Sequence, residues 1–492
     1  MKLFLSQIIR TLSDVTIQMG TSQLNLIDNA CRAFMQFIIP HLSKLQNIIC
    51  ICGTGNNGVD GLFIALKLSA RGYQVEVASI EGRAILSTQY LQAKASIIHS
   101  QIPLTTFKPS QTIPDLHKCD VIIDSILGNG LNRPLNDIYA RLIKHINSLN
   151  KKIFAIDIPS GMRAEGEIEG EILQCFGTMA FQFPRLSFFQ REAAPYIGIW
   201  QYGPIGISNK LIQEANSKHF LIDQDLIRNF LRERASHSHK GSFGHTLFIG
   251  GTIGMAGAIT LSARASIKIG SGKCTIMSFE GNREISQTLL PEASFRSIEK
   301  SVSDFRRLTV GIGPGLGINS VAEAVLRNIL KKSKEPMIFD ADALNLLSEN
   351  PNLLHIVPKY SILTPHTGEF HSLFGTYSSD YQRFEVQGKE AIKHSIFIVL
   401  KGKHTTIACP NGDFYHNSTG HVGMATGGSG DVLTGMITGL LAQGHPPKEA
   451  ALLGVYLHSL SGDIATGNLG EMSLMASDII DHLPQAISKL TD

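Results

Sequence analysis

Residues 47–61 read NIICICGTGNNGVDG, and the fold turns on them. From Ile48 to Cys52 the run is wholly apolar, the pattern of a strand buried on both faces of a parallel sheet. Gly53, Gly55 and Gly58 follow in G-x-G-x-x-G spacing, and Val59–Arg71 reads as a helix. A strand, a glycine turn and a helix open a βαβ unit, in which backbone amides can approach a pyrophosphate at the helix N-terminus. A plain tight turn capped by an aspartate would carry the same glycines. Asn56, Asn57 and Asp60 exceed what a phosphate turn needs; packed amides beside a carboxylate point to a polar pocket able to take a cation. Glu76, placed at the end of the next strand, completes the dinucleotide-binding pattern.

Outward from this stretch the alternation continues. YQVEVASI (73–80), DVIIDSILG (120–128) and KKIFAIDIPSG (151–161) read as strands, with helices to about residue 97 and over 135–148. Residues 11–40 read as helical. Uniformly apolar strands alternating with helices predict a parallel sheet covered on both faces. From about Gly203 to Lys240 the texture turns polar with no strong strand, which places a domain boundary near 220. A second series follows: HTLFIGG (245–251), a helix over 256–270, KCTIMSF, RLTVGIG (307–313), PMIFDAD (336–342), YSILTPH (360–366), SIFIVLKG (395–402), then helices near 430–443 and 447–466. The expected class is α/β with two domains, 1–220 and 221–492. No repeat of 20–50 residues is visible.

Composition narrows the function. With 44 basic against 41 acidic side chains among 492 residues, the formal charge of +3 gives no footprint for nucleic acid. Seven scattered cysteines without a CxxC pair read as buried reduced thiols, and Cys50 and Cys52 share one strand face as packing. The start, MKLFLSQIIR, is too short in apolar residues for a signal peptide, and nowhere do 18 apolar residues run together. A cytoplasmic enzyme, free of membrane and nucleic acid and assembled as a homo-oligomer, is the expectation.

Two further acids close strands. Asp124 ends VIID ahead of Gly128 and Gly130, and Asp157 ends FAID ahead of Ser160 and Gly161. Ligands of open parallel sheets bind outside the carboxyl ends of the strands, so these acids and the 53–61 turn should converge. Singly, each would serve as a turn cap. In the second half Thr426-Gly-Gly-Ser-Gly430-Asp431 runs into the apolar helix VLTGMITGLLAQG. Glycines at a helix start offer free amides to an anion, and Asp431 stands there as a candidate base. His237 and His239 form HxH without a third ligand, which reads as surface.

NNGVDG (56–61), DSILGNG (124–130) and DIPSG (157–161) resemble the NAD(P)H-hydrate epimerase domain over about residues 1–220. The resemblance implies a Rossmann-like sheet binding hydrated NAD(P)H through Asn56, Asn57, Gly58, Val59 and Asp60. It extends that site to Gly128, Asn129, Gly130, Leu131, Asn132, Arg133 and Pro134, and to Asp157, which would exchange a proton at the reacting ring. It also implies a potassium ion on Asn57, Asp124 and Ser160, oxygen donors that suit a hard cation. Two positions depart from the family: Val59 stands where glycine is commoner, and Arg185 in FQFPRLSF where lysine is common.

In the second half, GGSGD resembles the anion hole of ribokinase-like enzymes. HKGSFGHTLFIGG (239–251), GMAGAITL (254–261), GIGPGLG (311–317), FDADALN (339–345), LTPHTGEF (363–370) and LKGKHT (400–405) stand in the order of the ADP/ATP-dependent NAD(P)H-hydrate dehydratase. By this likeness Ala258, Gly315, His366 and Asp431 contact the hydrate. Lys401, Gly402, Lys403, His404, Thr405 and Gly430 contact the nucleotide. The implied function is repair: the first domain interconverts the R and S hydrates NADHX and NADPHX, and the second dehydrates the S form with ADP or ATP and Mg²⁺. The alternative is a ribokinase-like small-molecule kinase carrying a non-catalytic dinucleotide-binding module.

Overall fold

The computed structural model describes residues 1–81, 86–108, 115–135, 137–299, 305 and 307–491. Two compact units emerge: Lys2–Ser217 with Ser379–Tyr381, and Lys218–Ser378 with Gln382–Asp492 and Met1.

In the first unit, seven strands among the described residues form one sheet. From one edge they run Leu104–Phe107, Gln74–Ile80, Asn47–Cys52, Val121–Ser125, Lys152–Ile156, Gly177–Phe181 and Ile199–Gly203, every neighbour parallel. In chain order this is 3-2-1-4-5-6-7, so the order reverses between Asn47–Cys52 and Val121–Ser125, where ligands of such sheets bind. Helices cover both faces because the strands are apolar on both. Cys50 and Cys52 pack on one side with Phe34 and Leu62, while Ile49 and Ile51 pack on the other with Leu142 and Ile146.

Several readings are corrected here. The helix after strand Asn47–Cys52 begins at Asn56, three residues before Val59. Residues 11–40 are two helices, Ser6–Gln18 and Gln23–Ile38, parted at Gly20 (φ +104°), with Ser22 Oγ accepting from Asn25 N at 3.1 Å as the new N-cap. Glu76 is the third residue of its strand and exposed, so it does not reach the ligand end. The acid just past that strand is Glu81, engaged by Tyr90 and Lys94. The polar stretch before Lys240 does hold a strand, His219–Ile222, paired parallel to Phe414–Asn417. The surface reading of the HxH pair holds: both histidines are exposed, and His239 caps a turn by accepting from Gly241 N at 3.0 Å.

In the second unit the strands run Ser294–Ser297, Lys273–Ser278, His245–Ile249, Thr309–Ile312, Ile338–Phe339, Ile362–Leu363 and Phe397–Leu400, all parallel. Thr406–Ala408 and Phe414–Asn417 continue the sheet as antiparallel neighbours. The parallel part again has the order 3-2-1-4-5-6-7, a likeness between the units that no sequence repeat announced. Helices Ala256–Lys268 and Ser429–Ala442 cross closely, since a Cβ at Gly435 would overlap the Ser262 carbonyl. All seven cysteines are free and buried. Among the described residues no helix is long and apolar enough to cross a membrane.

Candidate active sites

At the switch point of the first sheet, the turn after Asn47–Cys52 owes its glycines to close approach. A Cβ on Gly58 would overlap the Gly53 carbonyl, and one on Gly53 would overlap the Ile126 carbonyl. Val59 sits inside the helix, buried among core residues, with its amide on Gly55 O at 3.1 Å. No left-handed conformation is asked of it, so the departure from glycine is sterically accommodated.

Asn57, Asp124 and Ser160 meet around Leu127. Ser160 donates from Oγ to Asp124 Oδ1 (2.6 Å) and from its amide to Oδ2 (2.7 Å), and Ile126 N donates to Oδ1 at 3.1 Å. Leu127 N donates to Ser160 Oγ, and Asn57 Nδ2 to Leu127 O, both at 2.9 Å. Burial pushes the Asp124 carboxyl up to about 6 in spite of these bonds. A fully buried carboxylate with neutral donors, and no basic side chain among its hydrogen bonds, is chemistry that fits a monovalent cation.

Asp157 is held differently. Its backbone is left-handed (φ +69°), which strains a non-glycine residue and turns the chain sharply out of the strand. Its Oδ1 accepts from Phe181 N at 3.2 Å and pairs with the Arg185 guanidinium. Arg185 is 2% exposed and also donates to Phe183 O at 3.0 Å and Phe181 O at 3.3 Å. The arginine in the lysine's place thus lies in direct contact with the candidate acid–base. Burial, reinforced by the charge of Asp157, pushes the Asp60 carboxyl well above its ordinary range. Asn56, Asn57, Asp60, the 128–133 turn, Asp157 and Arg185 all line one cavity of about 730 Å³, ample for a mononucleotide-sized ligand. Arg10, Ser13 and Asp14 close it from helix Ser6–Gln18; sequence patterning gave no sign of that wall. Pro134 lies just outside the lining, beside Gly170.

The second site is likewise built at strand ends. Gly251 (φ +68°) and Gly315 (φ +59°) bring two loops together, with Gly251 N donating to Pro314 O at 3.0 Å. Ala258 lies within van der Waals reach of Gly315, whose missing Cβ would stand 3.4 Å from it. Gly428 (φ +90°) is the N-cap of Ser429–Ala442, so Gly430 and Asp431 occupy its first turn, where amides are free for an anion. Burial pushes the Asp431 carboxyl up to about 7; Asp340 adds to the rise and Lys401 opposes it.

Lys401 meets Asp340 Oδ1 at 2.7 Å, and Thr434 donates to Asp340 Oδ2 at 2.7 Å. A Cβ on Gly430 would stand 3.2 Å from Lys401 Nζ, so the ammonium faces the helix start. His366 Nδ1 accepts from Gly368 N (2.9 Å) and Glu369 N (3.2 Å), capping its helix, and Nε2 lies 3.4 Å from Glu369 Oε1 on a ring 61% exposed. Lys401 N donates to Pro365 O at 2.9 Å, tying the two loops. Gly402 and Lys403 are exposed, whereas His404 is pushed down to about 4 by burial and Thr405 leads into the next strand. Asp340, Thr434 and Glu369 were missed; Asp340 could have been found by the rule that singled out Asp124 and Asp157, as it too follows a strand. Among the described residues, no three His, Cys, Asp or Glu side chains are grouped to hold a metal.

Comparison with known proteins follows this division. Residues 246–485 match the NAD(P)H-hydrate dehydratase family, and residues 23–187 match the YjeF-related protein N-terminus. The chain is 34% identical to the bifunctional NAD(P)H-hydrate repair enzyme of Moorella thermoacetica, covering 95% of this chain and 93% of that one. It is 33% identical to that of Coxiella burnetii, covering 98% of each. Among solved structures, the ADP/ATP-dependent NAD(P)H-hydrate dehydratase of Bacillus subtilis, co-crystallised with ATP and Mg²⁺, is 31% identical with a TM-score of 0.50, covering 55% of this chain and 98% of that one. Near-complete coverage of both chains by full-length relatives, with one site at the ligand end of each sheet, means that this chain belongs to the bifunctional NAD(P)H-hydrate repair enzymes.

Proposed function

We propose that the cavity of the first unit interconverts the R and S hydrates of NADH and NADPH, and that the Asp431 site dehydrates the S form at the expense of ADP or ATP. Hydroxide leaves poorly from C6 of the nicotinamide ring. Asp431 takes the hydroxyl proton as the oxygen attacks the terminal phosphoryl group, with the amides at 427–430 and Lys401 facing the developing charge. The ring nitrogen lone pair then expels phosphate, and loss of a ring proton restores the double bond. The observation that carries this reading is a half-buried carboxyl in the first turn of a glycine-rich helix start, pushed up to about 7 so that it can accept a proton near neutrality. Ala258, Gly315 and His366 line the hydrate's side, and Lys401–Thr405 with Gly430 the nucleotide's. Asp340 and Glu369 already serve Lys401 and the His366 cap, so they offer no dedicated Mg²⁺ cage; the ion is expected to arrive on the nucleotide phosphates with its waters.

In the first unit Asp157 exchanges the substrate proton, with Asp60, whose carboxyl is pushed above its ordinary range by burial and the Asp157 charge, as its partner. Asn57, Asp124 and Ser160 would hold potassium, whose charge would offset the buried carboxylate and fix the 124–130 turn. One incubation tests both halves: mixed hydrate epimers with ADP or ATP, followed at the reduced nicotinamide absorbance. Complete recovery is expected. Recovery that stops when the S form is exhausted, and then creeps at the spontaneous epimerisation rate, removes the first activity; no recovery removes the second.

A further inference from the structure

Lys401 occupies an unusual place. Its ammonium lies against the start of Ser429–Ala442, where the helix dipole and the free amides are already positive. A lysine there is repelled unless something holds it. Asp340 does so from the end of Ile338–Phe339, with Oδ1 on Lys401 Nζ at 2.7 Å and Oδ2 taking the Thr434 hydroxyl from the same helix at 2.7 Å. Asp340 is 1% exposed while Lys401 is 21% exposed, so the carboxylate holds the ammonium from its buried side, and the residue after Asp340, Ala341, has a positive φ of +47°. Such strain on an alanine persists where the surroundings over-determine the turn.

We propose that Asp340 is the positioning residue of the dehydratase site: it clamps Lys401 beside Gly430, so that the phosphoryl group in flight meets the ammonium and the helix amides together. This rests on the phosphoryl-transfer reading above. In that geometry Asp340 need not touch hydrate or nucleotide. It works through Lys401, and through Thr434 it ties that lysine to the helix carrying Asp431.

The charged and titratable groups around Asp431 are Asp340, Asp342, Glu369 and Lys401, with His458 on the far side of Ser429. Asp340 raises the Asp431 carboxyl more than Lys401 lowers it. Neutralising Asp340 therefore lets Asp431 ionise at lower pH, even if Lys401 swings away. Asp340→Asn should lower the dehydratase kcat about 10²-fold, the scale for losing one preorganised electrostatic group, with the KM for the S hydrate within a few-fold. The acid limb of its pH–rate profile should move to lower pH, which a loss of folded enzyme alone cannot do.

A double-mutant cycle supplies the second reading. If Asp340 acts through Lys401, then Asp340→Asn with Lys401→Met is no slower than Lys401→Met alone. Asp340→Glu keeps the charge but displaces it by a methylene, and should lose about tenfold in kcat without an acidward limb. It also serves if the neutral single variants fail to fold. Multiplicative losses in the cycle, an unmoved limb in Asp340→Asn, or wild-type kcat in Asp340→Glu overturns the proposal. Asp431→Asn runs beside them: retained activity there strikes the base assignment itself, whereas an inactive Asp431→Asn with additive losses at 340 and 401 strikes only Asp340.

Discussion

Replacing Asp431 by asparagine should do two opposite things: stop dehydration and stabilise the fold. In the unfolded chain this carboxyl ionises near its ordinary 3.8, and in the folded protein near 7. Between these values the unfolded chain is ionised while the folded protein is still protonated, so unfolding releases a proton and stability falls as pH rises. Above about pH 7 the whole cost is present, and below about pH 4 it is absent. A displacement from 3.8 to about 7 corresponds to a ceiling of about 4 kcal/mol at roughly 1.4 kcal/mol per tenfold change. Local relaxation and water entry cut such ceilings by about half, leaving about 2 kcal/mol. At about 2–4 °C per kcal/mol for a domain of this size, the variant should melt about 4–8 °C above wild type.

The assay is thermal unfolding of the full chain at pH 8.5 and again at pH 4, with dehydratase activity measured on the same samples. The gain should appear at pH 8.5 and vanish at pH 4, while activity near neutrality drops about 10²–10⁴-fold, the usual worth of a general base. Wild-type kcat/KM should fall as pH drops through about 7, tenfold per unit below it. A gain of equal size at both pH values would refute the reasoning, because an effect unrelated to charge would then explain it. So would an unaltered melting temperature at pH 8.5.

Three other changes are informative. Arg185→Ala strands the buried Asp157 carboxylate without its cation and should cost about 3–5 kcal/mol by thermal or urea unfolding, whereas Arg185→Lys should recover much of it along with epimerisation. Val59→Gly should leave the epimerisation of pure R hydrate unaccelerated, with excess dehydratase consuming S as it forms, and should lower stability by about 2 kcal/mol through a lost core side chain and helical glycine. Potassium, titrated against tetramethylammonium at constant ionic strength, should raise the melting temperature of the wild type; Asp124→Asn, with the buried carboxylate gone, should lose that response.

Much of the fold was legible because its strands are buried on both faces. NIICIC, VIID, KIFAI and FIVL declare themselves as apolar runs, and in every case the structure places a strand there. The fully buried strand Gly177–Phe181 was not read, and most of the rest that stayed hidden was structure whose stability comes from neighbours. Leu104–Phe107 is an edge strand with exposed threonines, Ile199–Gly203 an edge strand mostly exposed, and His219–Ile222 a short segment that becomes a strand by pairing with Phe414–Asn417. The shared 3-2-1-4-5-6-7 order was illegible for a related reason. Strand order is set by which strand edges pair through backbone hydrogen bonds, and such pairing is carried by main-chain groups common to every residue.

The sites divide along the same line. A glycine turn or a strand-end aspartate is a local feature, so Gly58, Asp124, Asp157 and Asp431 could be singled out from their immediate neighbours. Partners that arrive from elsewhere in the chain could not. Asp340 and Thr434 are 94 residues apart and meet only in the fold, where the Asp340 carboxylate takes the Thr434 hydroxyl on one oxygen and Lys401, 61 residues away, on the other. Asp157 gives the mirror case: its residue type was conspicuous, but its backbone strain and its buried arginine are properties of the folded chain. In the second unit the acid visible in sequence, Asp431, is raised further by Asp340 and lowered by Lys401, while in the first unit Asp157 pairs with Arg185 and its charge reinforces the rise of the Asp60 carboxyl. Local motifs therefore announce Asp60, Asp157 and Asp431, while the pairing of Asp157 with Arg185 and of Asp340 with Lys401 comes from the folded chain.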